Sequence, residues 1–532
     1  MNEPLDALGK QWNNVCRLVL GAEVGNLGTY EKWLSEWSEG LYYSKSSISG
    51  KQVAFGMPDY PAGSKRMSFG EVDFGRKYPS LGIDEIKDID SLFQAVSDRA
   101  YYTGNIVLGN SKYVEKSTNV SDSFYVYGSS RVVDSKYLAY SSMARECECV
   151  FGTAAPGESK YLIRCSDTYR AQRCLEGWMV ATTTDSYYVF DLNYCSNCMF
   201  SFNLRNAKYC IGNAQLDRSK YLSVKAALLG QMRDELKSRR RLPSLLEIVG
   251  AEKPDYAPAK AALSSLRPPT AQKGDMAPVE SAFSQTSKLL LGVELKGISG
   301  YSAWLSGHLE LGKQVKSAIS NSDIFQGAYA RYFEVPEARI VREDEALALA
   351  AKLKCAFDPA TVSLDNAGEL VRGIAYMSLE IRDGANKNII NCMAYANSSN
   401  CYFCVPCVHA KDSAYNFWLR SAESIFGSSV VFDSSFCIHC YQSVKLTRCF
   451  EMDSCRNCSG SYFCHNCENV HDSMFCFNVK NLKYAIGNVE FQREEYMSVK
   501  KKVLDEIALG LEREKTFPIS IYNIGTGKRV RE

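Results

Sequence analysis

The chain has 532 residues, more than one hydrophobic core ordinarily serves, so two or more domains are expected. An apolar fraction of 46% and a charged fraction of 23% are those of a folded chain and exclude wholesale disorder. With 62 basic against 60 acidic residues, the net charge of +2 offers no global field to draw the protein to nucleic acid or an anionic membrane.

The opening stretch "MNEPLDALGKQWNN" carries acidic residues where a secretory signal would carry a basic segment and an apolar run. No segment approaches the roughly 18 uninterrupted apolar residues of a membrane span. A soluble, cytoplasmic protein with no membrane association is expected. The 21 cysteines are an odd number, 8 before residue 250 and 13 after it, and without export they read as thiols or metal ligands rather than a disulfide framework.

In chain order, residues 1–104 read as a helical N-terminal part. The stretch "LDALGKQWNNVCRLVL" is helical in pattern, and Tyr30, Trp33, Leu34 and Trp37 are spaced to share one helix face. Residues 105–240 then carry a recurring phrase of an acidic or amide residue, Ser, any residue and an aromatic. It begins at Asn110, Asp122, Asp134 and Glu158, at steps of 12, 12 and 24 residues, and again at Asp185. Asp and Asn before Ser favour a turn, and the aromatic and branched residues that follow favour a strand. A unit of that kind buries its apolar face only by stacking on the next. The expected architecture is a parallel β-helix, or β-solenoid, with coils of about 24 residues or two half-coils of about 12. The part closes with a helix from Ser219, "SKYLSVKAALLGQMRDELKSRR".

A stretch with Pro243, Pro254, Pro258, Pro268, Pro269 and Pro278 follows, and residues 241–284 read as a linker. Its basic introduction, "KSRRR" at Lys237 to Arg241, reads as a solvated helix end, since cations suit the negative end of a helix.

The pattern then begins again. "GAEVGNLGTYEKWLS" from Gly21 faces "GVELKGISGYSAWLS" from Gly292 at an offset of 271, and "FNLRNAKYCIGN" from Phe202 faces "FNVKNLKYAIGN" from Phe477 at an offset of 275. The chain therefore reads as two copies of one module. The second comprises a helical part at 285–384, Cys-rich repeats with a terminal helix from Arg493 at 385–515, and a tail at 516–532. In the second repeat region the phrase recurs at Asp412, Asp433 and Asp472, with a looser spacing. A chain of small zinc-ribbon-like knuckles is the alternative fold for that half.

Between Cys392 and Cys476, both included, the chain places 12 of its cysteines, with His409, His439, His465 and His471 among them. The spacings include Cys401-x-x-Cys404-x-x-Cys407, Cys437-x-x-Cys440, Cys455-x-x-Cys458 and Cys464-x-x-Cys467. A CxxC turn points two thiolates at one ion, and two such turns make a structural zinc site. Cys455, Cys458, Cys464 and Cys467 are the first candidate set, and Cys401, Cys404, Cys437 and Cys440 the second. The competing reading is an interior ladder of small, buried thiols. At the 275 offset, Cys464 and Cys467 face Val189 and Leu192, and Cys455 and Cys458 face Val180 and Thr183, an exchange natural to core positions.

"SNCYFC", "FCHNC" and the closing Asn-Lys-Tyr-Cys-Ile phrase resemble uncharacterised cysteine-rich repeat proteins, over most of 390–500 and more weakly over 110–225. The resemblance implies a right-handed parallel β-helix and supplies no catalytic residue; the repeat period implies about four to five coils.

Enzyme readings are weaker than their structural alternatives. Asp122, Asp134, Asp185 and Asp191 could line a glycan groove as paired carboxylates, but the first three belong to the turn phrase. "GTGK" at Gly525 lacks both the earlier glycine of a phosphate loop, where Tyr522 stands, and its Ser or Thr, where Arg529 stands. Base stacking on tyrosines beside Lys112, Lys136, Lys160 and Lys220 would give a single-stranded nucleic-acid face, against the alternative of Lys outside and Tyr inside alternating strands. The expected fold is mainly β with flanking helices, two tandem β-solenoid modules with helical caps. The expected function is a non-catalytic scaffold or protein-interaction platform, with protein partners or self-assembly. The alternatives are a zinc-binding recognition module in the second half and a carbohydrate-active β-helix.

Overall fold

The computed structural model describes residues 3–82, 86, 88–266, 274–355 and 358–526. The protein is mostly β with flanking helices, as expected, and its largest sheet has 16 strands, parallel except for the last pair. Among the described residues no helix is long and apolar enough to cross a membrane.

The ladder step is 12 residues, so the whole repeat is the length expected of a half-coil, a correction to the coil of about 24 residues. Lys136 pairs with Phe124 on one side and Glu148 on the other, and Ser142 pairs with Ser130 and Ala154. The second half keeps the same step: Lys387 pairs with Ser399, Glu423 with Ser435 and Phe450 with Tyr462. The looser spacing of the Asp phrase there reflects which corners carry Asp. Regular parallel pairing over that half leaves no room for the hairpins of zinc-ribbon knuckles.

Within each step every third residue turns a corner in the left-handed backbone region: Tyr113, Lys116, Asn119, Asp122 and Tyr125 have φ of 60°, 48°, 55°, 49° and 58°. That conformation costs roughly 1–2 kcal/mol per non-glycine residue. Full use of the backbone offsets it. The corner N–H donates to a carbonyl of the preceding rung, as Asp134 does to Ser121 at 3.1 Å. The outward strand N–H donates to a carbonyl of the following rung, as Ser130 does to Ser141 at 3.1 Å. The residue after each corner faces inward. At alternate inward positions its N–H falls outside the ladder, and the hydroxyl of the previous rung takes it: Ser129 N–H donates to Ser117 Oγ, and Ser135 N–H to Ser123 Oγ, each at 3.0 Å. The alternation of Ser117, Val120, Ser123, Val126, Ser129 and Val132 satisfies these donors in turn.

Each ladder ends on an asparagine. Asn213 accepts from Phe202 N–H at 2.8 Å and donates to Phe202 C=O at 3.1 Å, and Asn488 does the same for Phe477 at 2.8 and 2.9 Å. The side-chain amide replaces the peptide of a missing next rung. This is the role of the "IGN" that closes both repeat regions.

The N-terminal parts are not wholly helical: antiparallel hairpins join Tyr42–Lys45 to Gln52–Phe55 and Gly312–Lys316 to Asp323–Gly327. Of Tyr30, Trp33, Leu34 and Trp37 only Trp33 and Leu34 lie in the short helix Glu31–Ser35, so the four do not share one helix face. The proline-bearing stretch expected to be a linker is largely folded, with helices at Leu245–Ala251, Tyr256–Leu263 and Ala277–Leu291. Two of its prolines stand where helices begin and the missing N–H is not needed: Pro243 precedes the N-cap Ser244, and Pro278 occupies the first turn. Pro268 and Pro269 lie outside the described residues, as do tail residues 527–532.

The halves are bonded to each other. Segment 42–104 leads into the first ladder but joins the last rungs of the second: Tyr60 Oη donates to Asp453 at 2.6 Å and Asn478 Nδ2 to Tyr101 C=O at 2.8 Å. Segment 312–377 does the converse, with Asn203 Nδ2 donating to Tyr376 C=O at 2.7 Å and Ser166 Oγ to Ala330 C=O at 2.9 Å. Between the ladders Asn119 Nδ2 donates to Gln442 at 2.8 Å.

Candidate functional site

The cysteine pairs follow the three-residue side of the rung. Cys455 and Cys467 lie one rung apart on one interior line, while Cys458 and Cys464 occupy other sides, and all four are buried. Their thiols bond backbone: Cys455 Sγ donates to Asp453 and Cys464 carbonyls at 3.3 Å each, Cys458 to Arg456 at 3.3 Å, and Cys467 to His465 at 3.4 Å and Cys476 at 3.3 Å. Cys401, Cys404, Cys437 and Cys440 are likewise buried and donate to carbonyls two residues back. Among the described residues no three His, Cys, Asp or Glu side chains gather as a metal would require. The thiols of the first set touch in a chain, Cys458 beside Cys455, Cys455 beside Cys467 and Cys467 beside Cys464, while in the second set Cys401 lies beside Cys404 and Cys437 beside Cys440.

The proposed carboxylate face is also dispersed into corners. Asp122 accepts Asn110 N–H at 3.1 Å, Asp185 holds Arg173 in a fork at 2.7 and 2.8 Å, and Asp191 holds Arg205 at 2.9 and 3.0 Å. Tyr113, Tyr125 and Tyr137 occupy corners rather than the interior and stack outside the ladder at 4.6 and 4.9 Å between rings, a correction to the alternation expected for them. The helix Glu3–Leu20 lies across these strands, and Tyr125 and Tyr137 pack into its core. In the "GTGK" stretch, Lys528 and the following Arg529 lie outside the described residues.

His465, near the closing rungs, serves the interior. His465 Nδ1 meets Asp453 at 2.8 Å while its Nε2 accepts Thr103 N–H at 2.7 Å, so both ring nitrogens are committed. Neither is left to act on a substrate.

An open concavity lies elsewhere, at the end of the helix Arg218–Arg239. A cleft of about 820 Å³ is lined by Lys32, Arg164, Arg239, Arg240, Arg241 and Arg331, by Trp33 and Trp37, and by Glu36, Glu247 and Glu334. At its base Arg164 is fully buried, stacked on Trp33 at 5.2 Å and Trp37 at 4.7 Å. Its Nε donates to Glu176 at 2.7 Å and its Nη1 to Glu36 at 2.9 Å, while Nη2 is buried without a hydrogen-bond partner. Burial raises the Glu176 carboxyl above its ordinary range, against the pull of Arg164 and of Leu245 N–H, which bonds it at 3.0 Å.

The walls are fixed by local sequence. The helix ends at Arg240, whose left-handed backbone closes a bond to Leu236 C=O at 2.9 Å. Ser244 and Glu247 cap the next helix reciprocally, which places Glu247 to take Arg241 in a fork at 2.9 Å. Arg331, from the other half of the chain, lies over Trp37 at 4.9 Å and pairs with Glu334. Each lining carboxylate thus has an arginine partner: Glu36 with Arg164, Glu247 with Arg241 and Glu334 with Arg331. Among the described residues Lys32 and Arg240, both exposed, have no ion-pair partner.

The corresponding place in the second half keeps the scaffold and loses most of the charge. Counting 275 on, His439 and Glu451 stand for Arg164 and Glu176, paired at 2.7 Å, and Glu451 accepts Ile521 N–H at 2.7 Å. Trp304, 271 on from Trp33, packs on His439 with rings 4.4 Å apart. Ala303, Glu514 and Thr516 stand where Lys32, Arg239 and Arg241 stand. Lys515, which stands for Arg240, is turned onto Tyr301, its Nζ donating to the hydroxyl at 3.0 Å. Tyr522 packs on His308 and Tyr441, with ring centroids 4.8 and 5.0 Å apart. The same scaffold therefore forms without the cations of the first half.

The chain matches no protein-family model, no curated protein and no solved structure. Reading "KSRRR" as a solvated helix end missed this cleft. The usable signal was the comparison of the two halves, in which Lys32, Arg239 and Arg241 have no basic counterparts.

Proposed function

We propose that the protein is a non-catalytic interaction platform made of two β-solenoid modules, with the cleft at Arg164 as its recognition face. The regular rungs, the asparagine-closed ends and the bonds between halves support a rigid body that presents surfaces to partners. The observation that carries this reading is the cleft itself. It draws its walls from residues 29–37, 164, 239–247 and 331–334, and its polar groups are cations held by stacking and ion pairs, which suits recognition of an acidic partner rather than bond breaking.

In-cell photo-crosslinking tests it. A photoreactive residue at Lys32 in the full chain is expected to label a small, reproducible set of proteins, and the same residue at Leu509, 68% exposed on the last helix, is not. Equal and diffuse labelling from both positions would overturn the reading.

A further inference from the structure

We propose that this cleft binds a phosphate monoester dianion. The inference rests on the platform reading and names the chemistry its partner must carry.

Charge sets the ligand. Arg164 is shared between Glu36 and the buried Glu176, Arg239 pairs with Glu235, Arg241 with Glu247 and Arg331 with Glu334, so among the described residues the lining cations without an ion-pair partner are Lys32 and Arg240. Two unneutralised cations in one cleft are matched by one compact dianion, whereas a single carboxylate leaves one of them uncompensated. Donor geometry agrees with charge. Guanidinium groups present planar forks of N–H donors that fit phosphate oxygens, and the lining holds five arginines against one lysine. Beneath the floor Arg164, held between Glu36 and Glu176, keeps a buried Nη2 without a hydrogen-bond partner. The second half is an internal control: with Ala303, Glu514 and Thr516 in place and Lys515 held on the Tyr301 hydroxyl, the same scaffold offers no such excess.

The phosphate could be carried by a modified protein segment or by a free small molecule, and one experiment separates them. The full chain is titrated calorimetrically at low salt with inorganic phosphate, with a phosphoserine peptide, and with the same peptide carrying glutamate or unmodified serine. The phosphoserine peptide is expected to bind, the glutamate version at least about tenfold more weakly, since it presents one charge and a planar carboxylate. Lys32→Gln and Arg240→Gln are each expected to weaken phosphate binding about tenfold, and Lys237→Gln, exposed and outside the lining, to leave it unchanged. Peptide binding tighter than inorganic phosphate supports a protein source, and equal affinity supports a small-molecule source. Equal affinity for the glutamate and phosphoserine peptides, or indifference to both cleft variants, overturns the proposal. Crosslinks from Lys32 that persist after phosphatase treatment would overturn the phosphate assignment while leaving the platform reading standing.

Discussion

Arg164 and Glu176 stand one rung apart, joined Nε to Oε1 at 2.7 Å with neither side chain exposed to solvent. The pair underlies both the fold and the cleft, because Glu176 also takes the N–H of Leu245 and so seats the helix that forms one wall.

Removing Arg164 leaves the buried Glu176 carboxylate without a cation, whereas removing Glu176 leaves Arg164 still paired with Glu36. Arg164→Met is expected to destabilise the chain by about 3 kcal/mol, while Arg164→Met combined with Glu176→Leu costs less, because no charge of the pair then remains buried. Denaturant unfolding followed by tryptophan fluorescence checks this, Trp33 and Trp37 being in contact with Arg164. A double variant less stable than the single one would refute it.

The asparagines that end the ladders should behave as caps. Asn488→Ala removes two bonds to the Phe477 backbone and is expected to cost about 1–3 kcal/mol, with faster hydrogen exchange at the Phe477 amide and little change near Phe202 in the other ladder. Uniform exchange along both ladders would count against a local role.

Serine makes the interior bonds that cysteine makes here. Ser461 Oγ donates to Ser459 and Val470 carbonyls at 3.1 and 3.2 Å, as Cys455 Sγ does to its own two, so Cys464→Ser and Cys467→Ser are each expected to cost about 1 kcal/mol and leave the chain folded. Protein purified anaerobically without a histidine tag is expected to carry less than roughly a tenth of an equivalent of zinc or iron. A full equivalent, lost on these substitutions, would establish the metal site instead.

Burial pushes the Asp167 carboxyl up to about 7, although the Tyr332 hydroxyl at 3.2 Å pulls it down. Its folded value lies above the roughly 3.9 of an unfolded Asp. Its contribution is therefore fully present below that value and is lost as pH rises through about 7. Asp167→Asn should match the wild type near pH 4 and exceed it in melting temperature by a margin that widens up to neutrality. A gap independent of pH would show that Asp167 titrates normally.

Much of the β architecture was legible in the chain. The spacing of "DSFY" and "DSKY" is the ladder step, and the strand and helix classes at the repeats and at Arg493–Glu514 follow the expected patterns. The CxxC pairs are ambiguous in the sequence because a metal turn and a three-residue side place cysteines at the same spacing, and the corner standing between the two thiols is visible only in the structure. The prolines of 241–284 were read as a linker because sequence shows a broken periodicity but not the helix starts that Pro243 and Pro278 mark.

By itself the sequence determined what each rung does locally: Ser, Cys and Val at every third residue dictate which side chains face inward, and Asp, Asn and Gly at the corners supply the tolerant backbones. Only the tertiary structure decided how the halves meet. Asn478 reaches Tyr101 and Asn203 reaches Tyr376 from far along the chain, and Lys32, Arg164, Arg240 and Arg331 converge from separate segments. Periodicity is a property of neighbours in the chain, whereas a cleft depends on the docking of distant surfaces, which leaves no regular spacing to read.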